Sequence, residues 1–224
     1  MFASLAALTL AGALAAASSS TPRMNLSIQL IHRCKPAAAC LPMQIVTRMK
    51  HETERIWSSL DVRIAWIDSI DAERPVLTAG MTVLLEENTD APWPLEQGFV
   101  LAAVHQPERP CGWALAQVWV RRVRRHASSV RISGRPFETL PVRLADTIVG
   151  RALARALAHE IGHYLLGTAT HSAHGLMRAQ IVPQELLEDP IQSLYGLSSR
   201  ERASLKSCAA DGQDAEASYR ADSK

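Results

Sequence analysis

Residues 159–163 read His-Glu-Ile-Gly-His, and residues 171–177 read His-Ser-Ala-His-Gly-Leu-Met. Side chains four apart on a helix share a face, so His159 and His163 can offer two imidazoles to one metal ion, with the Glu160 carboxylate bordering the same site. A catalytic zinc takes three protein ligands and keeps one position for water, so a third ligand must come from elsewhere. His171 is the first choice, because Gly167 lets the chain leave the helix and fold back over the ion. His174 is the second choice, and Glu185 and Glu188 are the carboxylate alternatives. Glu160 cannot easily join its neighbours on the same ion, and its expected role is general base toward a metal-bound water. Two solvated histidines on a helix surface are the simpler alternative, but they leave Glu160, Gly167, His171 and Met177 as coincidences. His32, His51, His105 and His126 have no partner at ligand spacing and read as ordinary histidines.

The pair needs a helix to carry it. The stretch 141–158 is rich in Ala, Leu and Arg and runs straight into the motif. Leu144, Ile148, Leu157, Ile161 and Leu165 recur near helical spacing, and Gly167 is placed to stop the helix. Upstream, residues 25–32 and 62–67 alternate polar and apolar side chains, the pattern of half-buried strands. Between them, Ile45, Val46, Met49, Ile56 and Leu60 sit among charged residues over 43–60 and predict an amphipathic helix. Strand, helix, strand in that order predicts a right-handed crossover between parallel strands. Residues 81–85 read as a buried strand, 88–94 as a loop, and 99–104 and 114–120 as two more strands joined by a 107–112 loop. The stretch 128–141 reads as connector, and a terminal helix is expected over 190–207. The run Arg121-Arg122-Val123-Arg124-Arg125 reads as a solvated strand end or loop in preference to an anionic-surface contact. The five tryptophans, Trp57, Trp66, Trp93, Trp113 and Trp119, read as core and rim.

A chain of 224 residues with 47% hydrophobic and 21% charged content suits one domain, here expected over 24–208. A net charge of +2 is far from the basic footprint of a nucleic-acid binder, so no nucleic-acid partner is expected. Residues 1–17 carry no charge and end in three alanines before Ser18-Ser19-Ser20, the pattern of a signal peptide over 1–19. The stretch is short for a membrane span, so export to a secreted or periplasmic location is expected, without stable membrane insertion after signal removal. A start at Met24 would make the protein cytoplasmic. Cys34, Cys40, Cys111 and Cys208 lack C-x-x-C spacing and permit two disulfides, with Cys34–Cys40 and Cys111–Cys208 the favoured pairing; buried free thiols are the cytoplasmic alternative. Residues 209–224, rich in Ala, Asp and Ser, read as a disordered tail.

From about Leu144 to Met177 the chain resembles the zincin superfamily of metallopeptidases, in its metzincin-like branch. Metzincins carry H-E-x-x-H-x-x-G-x-x-H and a later Met-turn. Here the intervals from His163 to Gly167 and from Gly167 to His171 are each one residue longer than in that string, and Gly175-Leu176-Met177 is similar to a Met-turn that comes early. The resemblance implies an α+β fold with a mixed twisted sheet packed on a long active-site helix and a C-terminal helix. It also implies Zn2+ as cofactor, His159, His163 and His171 as metal ligands, Glu160 as catalytic base, and a peptide or protein substrate for an endopeptidase. By analogy with zincins that use a second oxyanion donor, Tyr195 is the nearest downstream tyrosine, and residues 114–120 are a candidate edge strand for an extended substrate. A zincin-like binding protein with a structural zinc, and a non-peptide amidohydrolase, are the alternative functions.

Overall fold

The computed structural model describes residues 24–34, 40–68, 80–87, 100–105, 112–188 and 194–205. The expected leader, the tail, the loop at 88–94, Cys111 and Cys208 lie outside these residues. The alternating segment near the start forms β1 (Met24–Arg33), followed by α1 (Met43–Ser58) and β2 (Val62–Asp68). β2 pairs parallel with β1, Met24 opposite Val62, as a strand–helix–strand unit requires. β3 (Met81–Glu86) lies parallel on the other side of β1, and its first five residues are all buried. β5 (Ala114–Trp119) then pairs parallel with β3, and β4 (Ala102–His105) pairs antiparallel with β5. The sheet order is β2-β1-β3-β5-β4, a five-stranded mixed sheet with β4 at one edge. The fold is α+β, a mixed sheet packed on long helices.

Two expectations change at the end of β5. The arginine run is neither strand end nor loop but a helix, α2 (Val120–Ala127). Val120, Val123 and Ala127 recur at three and four residues and face the core, so the arginines fall on the remaining surface of the helix. Four arginines in five residues masked that short apolar stripe. β5 is not an edge strand either: β4 covers its outer side. The connector at 128–141 contains a two-stranded hairpin, β6 (Arg131–Ile132) with β7 (Arg135–Pro136).

The long helix is α3 (Val142–Leu166), 25 residues with the motif in its last two turns. Most of its residues from Ile148 to Leu165 are buried on all sides, as expected of a helix central to the core. It crosses α1 closely at Gly150, where an added Cβ would stand 2.7 Å from Arg48 Cγ. At its end, Gly167 takes the left-handed conformation (φ 59°) and its N–H closes onto the last helical carbonyls. The terminal helix is shorter than expected. Residues 194–198 are turn, bend and irregular chain, and residues 199–205 are helical. Ser198 and Glu201 explain that start: Ser198 N–H donates to Glu201 Oε2 at 2.6 Å and Glu201 N–H to Ser198 Oγ at 3.3 Å, a reciprocal capping box.

One charged cluster lies inside the fold. Arg155, with its side chain fully buried, donates to Glu52 Oε1 of α1 at 3.3 and 3.2 Å, to the Glu188 carbonyl at 2.8 Å and to the Glu185 carbonyl. Arg151, one turn earlier, donates to the carbonyls of Leu186 and Leu187 at 3.2 and 2.9 Å. These guanidinium groups hold residues 185–188 against α3.

Candidate metal centre

α3 presents His159 and His163 one turn apart, and the chain beyond Gly167 brings His171 back to them. One nitrogen from each of the three lies within 4.8 Å of the others. The ring centroids form a nearly regular triangle of 4.5, 4.9 and 5.1 Å. Ligation also requires the correct nitrogen to be free, and the backbone arranges this. His159 Nδ1 is 2.9 Å from the Leu176 carbonyl and His163 Nδ1 is 2.7 Å from the Thr168 carbonyl. A carbonyl only accepts, so each Nδ1 carries the proton and each Nε2 keeps its lone pair for a metal. His163 Nε2 and His171 Nε2 are 3.3 Å apart. Two nitrogens bound tetrahedrally to zinc at the usual bond length would stand about 3.3 Å apart. The donor set and its spacing fit zinc.

Burial grades across the cluster: His163 is buried, His159 half-buried and His171 exposed. Desolvation pushes the His159 imidazole down to about 4, against a rise from the Leu176 carbonyl, and its two neighbouring imidazoles lower it further. His163 is lowered for the same first reason. Neutral imidazole is the ligating form, so the environment favours the metal-binding state.

Glu160 is buried, 6% exposed, and its carboxylate accepts the backbone N–H of Val104 on edge strand β4. Burial pushes its carboxyl up to about 7, with that hydrogen bond opposing the rise. β4 therefore supplies the edge assigned above to 114–120. Sequence pattern marks each of the two segments as a strand but does not set their order in the sheet, which only pairing shows.

Met177 lies beneath α3, 1% exposed, packed against Gly162 so closely that an added Cβ there would collide with its Sδ. Its loop is tied by Ser172 N–H to the Met177 carbonyl at 2.8 Å and by Leu176 N–H to the Gly196 carbonyl at 3.1 Å. Ser172, next to His171, also donates to Glu201 Oε1, so the capping box of the last helix anchors the third histidine's loop.

The other candidates lie elsewhere. His174 is exposed and outside the cluster. Glu185 pairs with Arg178, and Glu188 gives its carbonyl to Arg155; neither joins the histidines among the described residues. Tyr195 is buried with its ring 4.8 Å from the Arg155 guanidinium, among Arg178, Glu185 and Glu52, so it belongs to the buried ionic cluster and not to an oxyanion site. The sequence reading missed the positioning carbonyls of Thr168 and Leu176, which no side-chain pattern reveals. It also missed Arg151 and Arg155, although their spacing from His159 and His163 sets all four on one helical stripe. Ser198-x-x-Glu201 was likewise legible as a capping box.

No family model matches the chain, and no curated protein matches it. Among solved structures it is similar to metalloproteinase-II from Bacteroides fragilis, with a TM-score of 0.46 and 15% identity over 85% of this chain and 55% of that one. The chain spans about half the length of that protein.

Proposed function

We propose that this protein is a zinc-dependent metallopeptidase, acting as an endopeptidase on peptide or protein substrates. The observation that carries the reading is the convergence of His159, His163 and His171 with the first two Nδ1 atoms committed to carbonyls and a buried carboxylate, Glu160, alongside. Those three histidines would hold the ion. Bound zinc would supply a Lewis acid and lower the pKa of a bound water toward about 7. Glu160 takes the proton from the attacking water and returns it to the leaving amine. The Val104 N–H holds that carboxylate to the flank of β4, where an extended peptide backbone can add as a further strand.

The Cys34–Cys40 disulfide supports a secreted or periplasmic site of action, since such bonds persist in oxidising compartments. The test combines metal analysis with digestion of an unfolded protein substrate. One zinc per chain, chelator-sensitive cleavage, and a Glu160→Gln variant that keeps the metal but loses cleavage support the proposal. Undiminished cleavage by Glu160→Gln would refute it, and tightly held zinc with no cleavage of a broad peptide library would favour a structural metal.

A further inference from the structure

A second set of metal-type donors stands at the end of β1. One ligand atom each from His32, Cys34 and Cys40 lies within 4.8 Å of the others. Glu87, 7% exposed, follows β3, and its Oε1 is 3.3 Å from His32 Nε2. The register explains the meeting: β1 and β3 are parallel neighbours with His32 opposite Leu85, and Glu87 N–H donates to the Arg33 carbonyl at 3.3 Å. Glu87 thus stands against His32 from the end of the neighbouring strand, just outside the three-donor group that Cys34 and Cys40 complete. The sequence could not show it, because Glu87 is 55 residues from His32 and the cysteines have no ribbon spacing.

In this structure the two cysteines are a disulfide, with Cα atoms 5.2 Å apart. His32 Nε2 meanwhile has two incompatible neighbours. The Leu41 N–H at 3.5 Å requires a lone pair on that nitrogen, whereas the Glu87 carboxylate at 3.3 Å requires a proton there. One nitrogen cannot serve both, and both distances are long. A cation between Nε2 and the carboxylate would satisfy both as acceptors.

We propose that reduction of Cys34–Cys40 turns this cluster into a zinc site held by His32, Cys34 and Cys40, with the Glu87 carboxylate moving in from beside His32 as the fourth ligand, so that disulfide and metal are alternative staples for the end of β1. The step balances with a dithiol as reductant. The dithiol is oxidised to its cyclic disulfide, the Cys34–Cys40 bond takes two electrons and two protons, and zinc then displaces the two thiol protons. Two thiolates, an imidazole and a carboxylate form an ordinary tetrahedral zinc set. A chain made in a reducing compartment passes through this thiol state before oxidation, so the site distinguishes the newly made chain from the oxidised one. The proposal does not depend on the chemistry of the His159 site.

The full-length chain, reduced with a dithiol that is then removed anaerobically, is titrated with cobalt(II) and then zinc(II) beside the oxidised chain. The reduced chain should bind one more metal ion, and its cobalt form should show a sulfur-to-cobalt charge-transfer band that zinc abolishes. The band should persist in Cys111→Ser and vanish in Cys34→Ser/Cys40→Ser, while Glu87→Gln should weaken binding by about tenfold or more. Equal metal stoichiometry in the two redox states, or a band that survives Cys34→Ser/Cys40→Ser, would overturn the proposal. The comparison of redox states in the unaltered chain stands even if a variant fails to fold. Unchanged affinity in Glu87→Gln would overturn the four-ligand assignment.

Discussion

A carboxylate buried beside three imidazoles is costly to ionise, and among the described residues Glu160 is held there by the backbone N–H of Val104. Its folded pKa, about 7, lies above the ordinary 4.5, so its contribution to stability is present below 4.5 and is lost as pH rises through 7. Glu160→Gln keeps the acceptor for Val104 and removes the charge. The metal-free variant should therefore melt higher than the metal-free parent at pH 8 and level with it at pH 4, by scanning calorimetry. With zinc present, the same change should cut peptidase turnover by about a hundred to ten thousand fold while metal content holds. Gly162 makes a different demand. An added methyl collides with Met177 Sδ. Although alanine is the better helix former, Gly162→Ala should cost about 1–2 kcal/mol by overpacking, measured by urea unfolding.

Between α1 and α3 the holding interaction is ionic as well as apolar. Arg155 neutralises Glu52 at 3.2 Å and satisfies two carbonyls of the segment behind the metal loop. Removing the guanidinium leaves a carboxylate that is 1% exposed with the more distant Arg151 Nε, 3.9 Å from Oε2, as its remaining cation among the described residues. Arg155→Met should destabilise the protein by about 3–5 kcal/mol, and Glu52→Gln added to it should recover much of that loss. Urea midpoints of the two variants check this. Failure of the second change to recover stability would show that the carbonyl contacts, not the charge, carry the effect. At the other end of α3, Gly167 holds a left-handed φ of 59° that a β-branched residue resists. Gly167→Val should weaken metal binding more than it lowers the melting temperature, since the turn delivers His171 while the core lies behind it.

For the molecule as a whole, the proposed function sets metal and proton in competition for the same imidazoles. The His159 pKa falls from 6.5 to about 4 on folding, so the stability it contributes is present above 6.5 and lost as pH drops toward 4. The metal-free chain should lose stability across that interval, and zinc should delay the loss to lower pH. Zinc at about a thousand times its Kd should add about 4 kcal/mol of stability, removed by chelator, as melting curves would show. Most of this architecture was readable beforehand: alternation marked β1 and β2, a short buried run marked β3, and helical spacing with Gly167 marked α3 and its end. The His159, Glu160, His163 cluster was readable because its members are neighbours on one helix, and His171 because one glycine separates it from that helix. The unread parts depend on distance or on backbone. β4 rather than β5 forms the edge, the arginine-rich α2 hides a three-residue apolar stripe, and Glu87 reaches His32 only through strand register.

Arg151, Arg155, His159 and His163 follow one another at intervals of four on a single rigid helix, so phase ties the buried ionic cluster to the histidine cluster. One inserted residue turns everything beyond it by about 100°. An insertion before residue 151 would leave the four in phase, whereas one between 155 and 159 would keep Arg155 on Glu52 and aim both imidazoles away from the metal. The 168–170 link tolerates a change of length far better, because it turns no helix. Length variation in proteins built on this plan should therefore gather between the glycine and the third histidine, where this chain already carries an additional residue relative to the metzincin string, and be excluded from the two turns before the first.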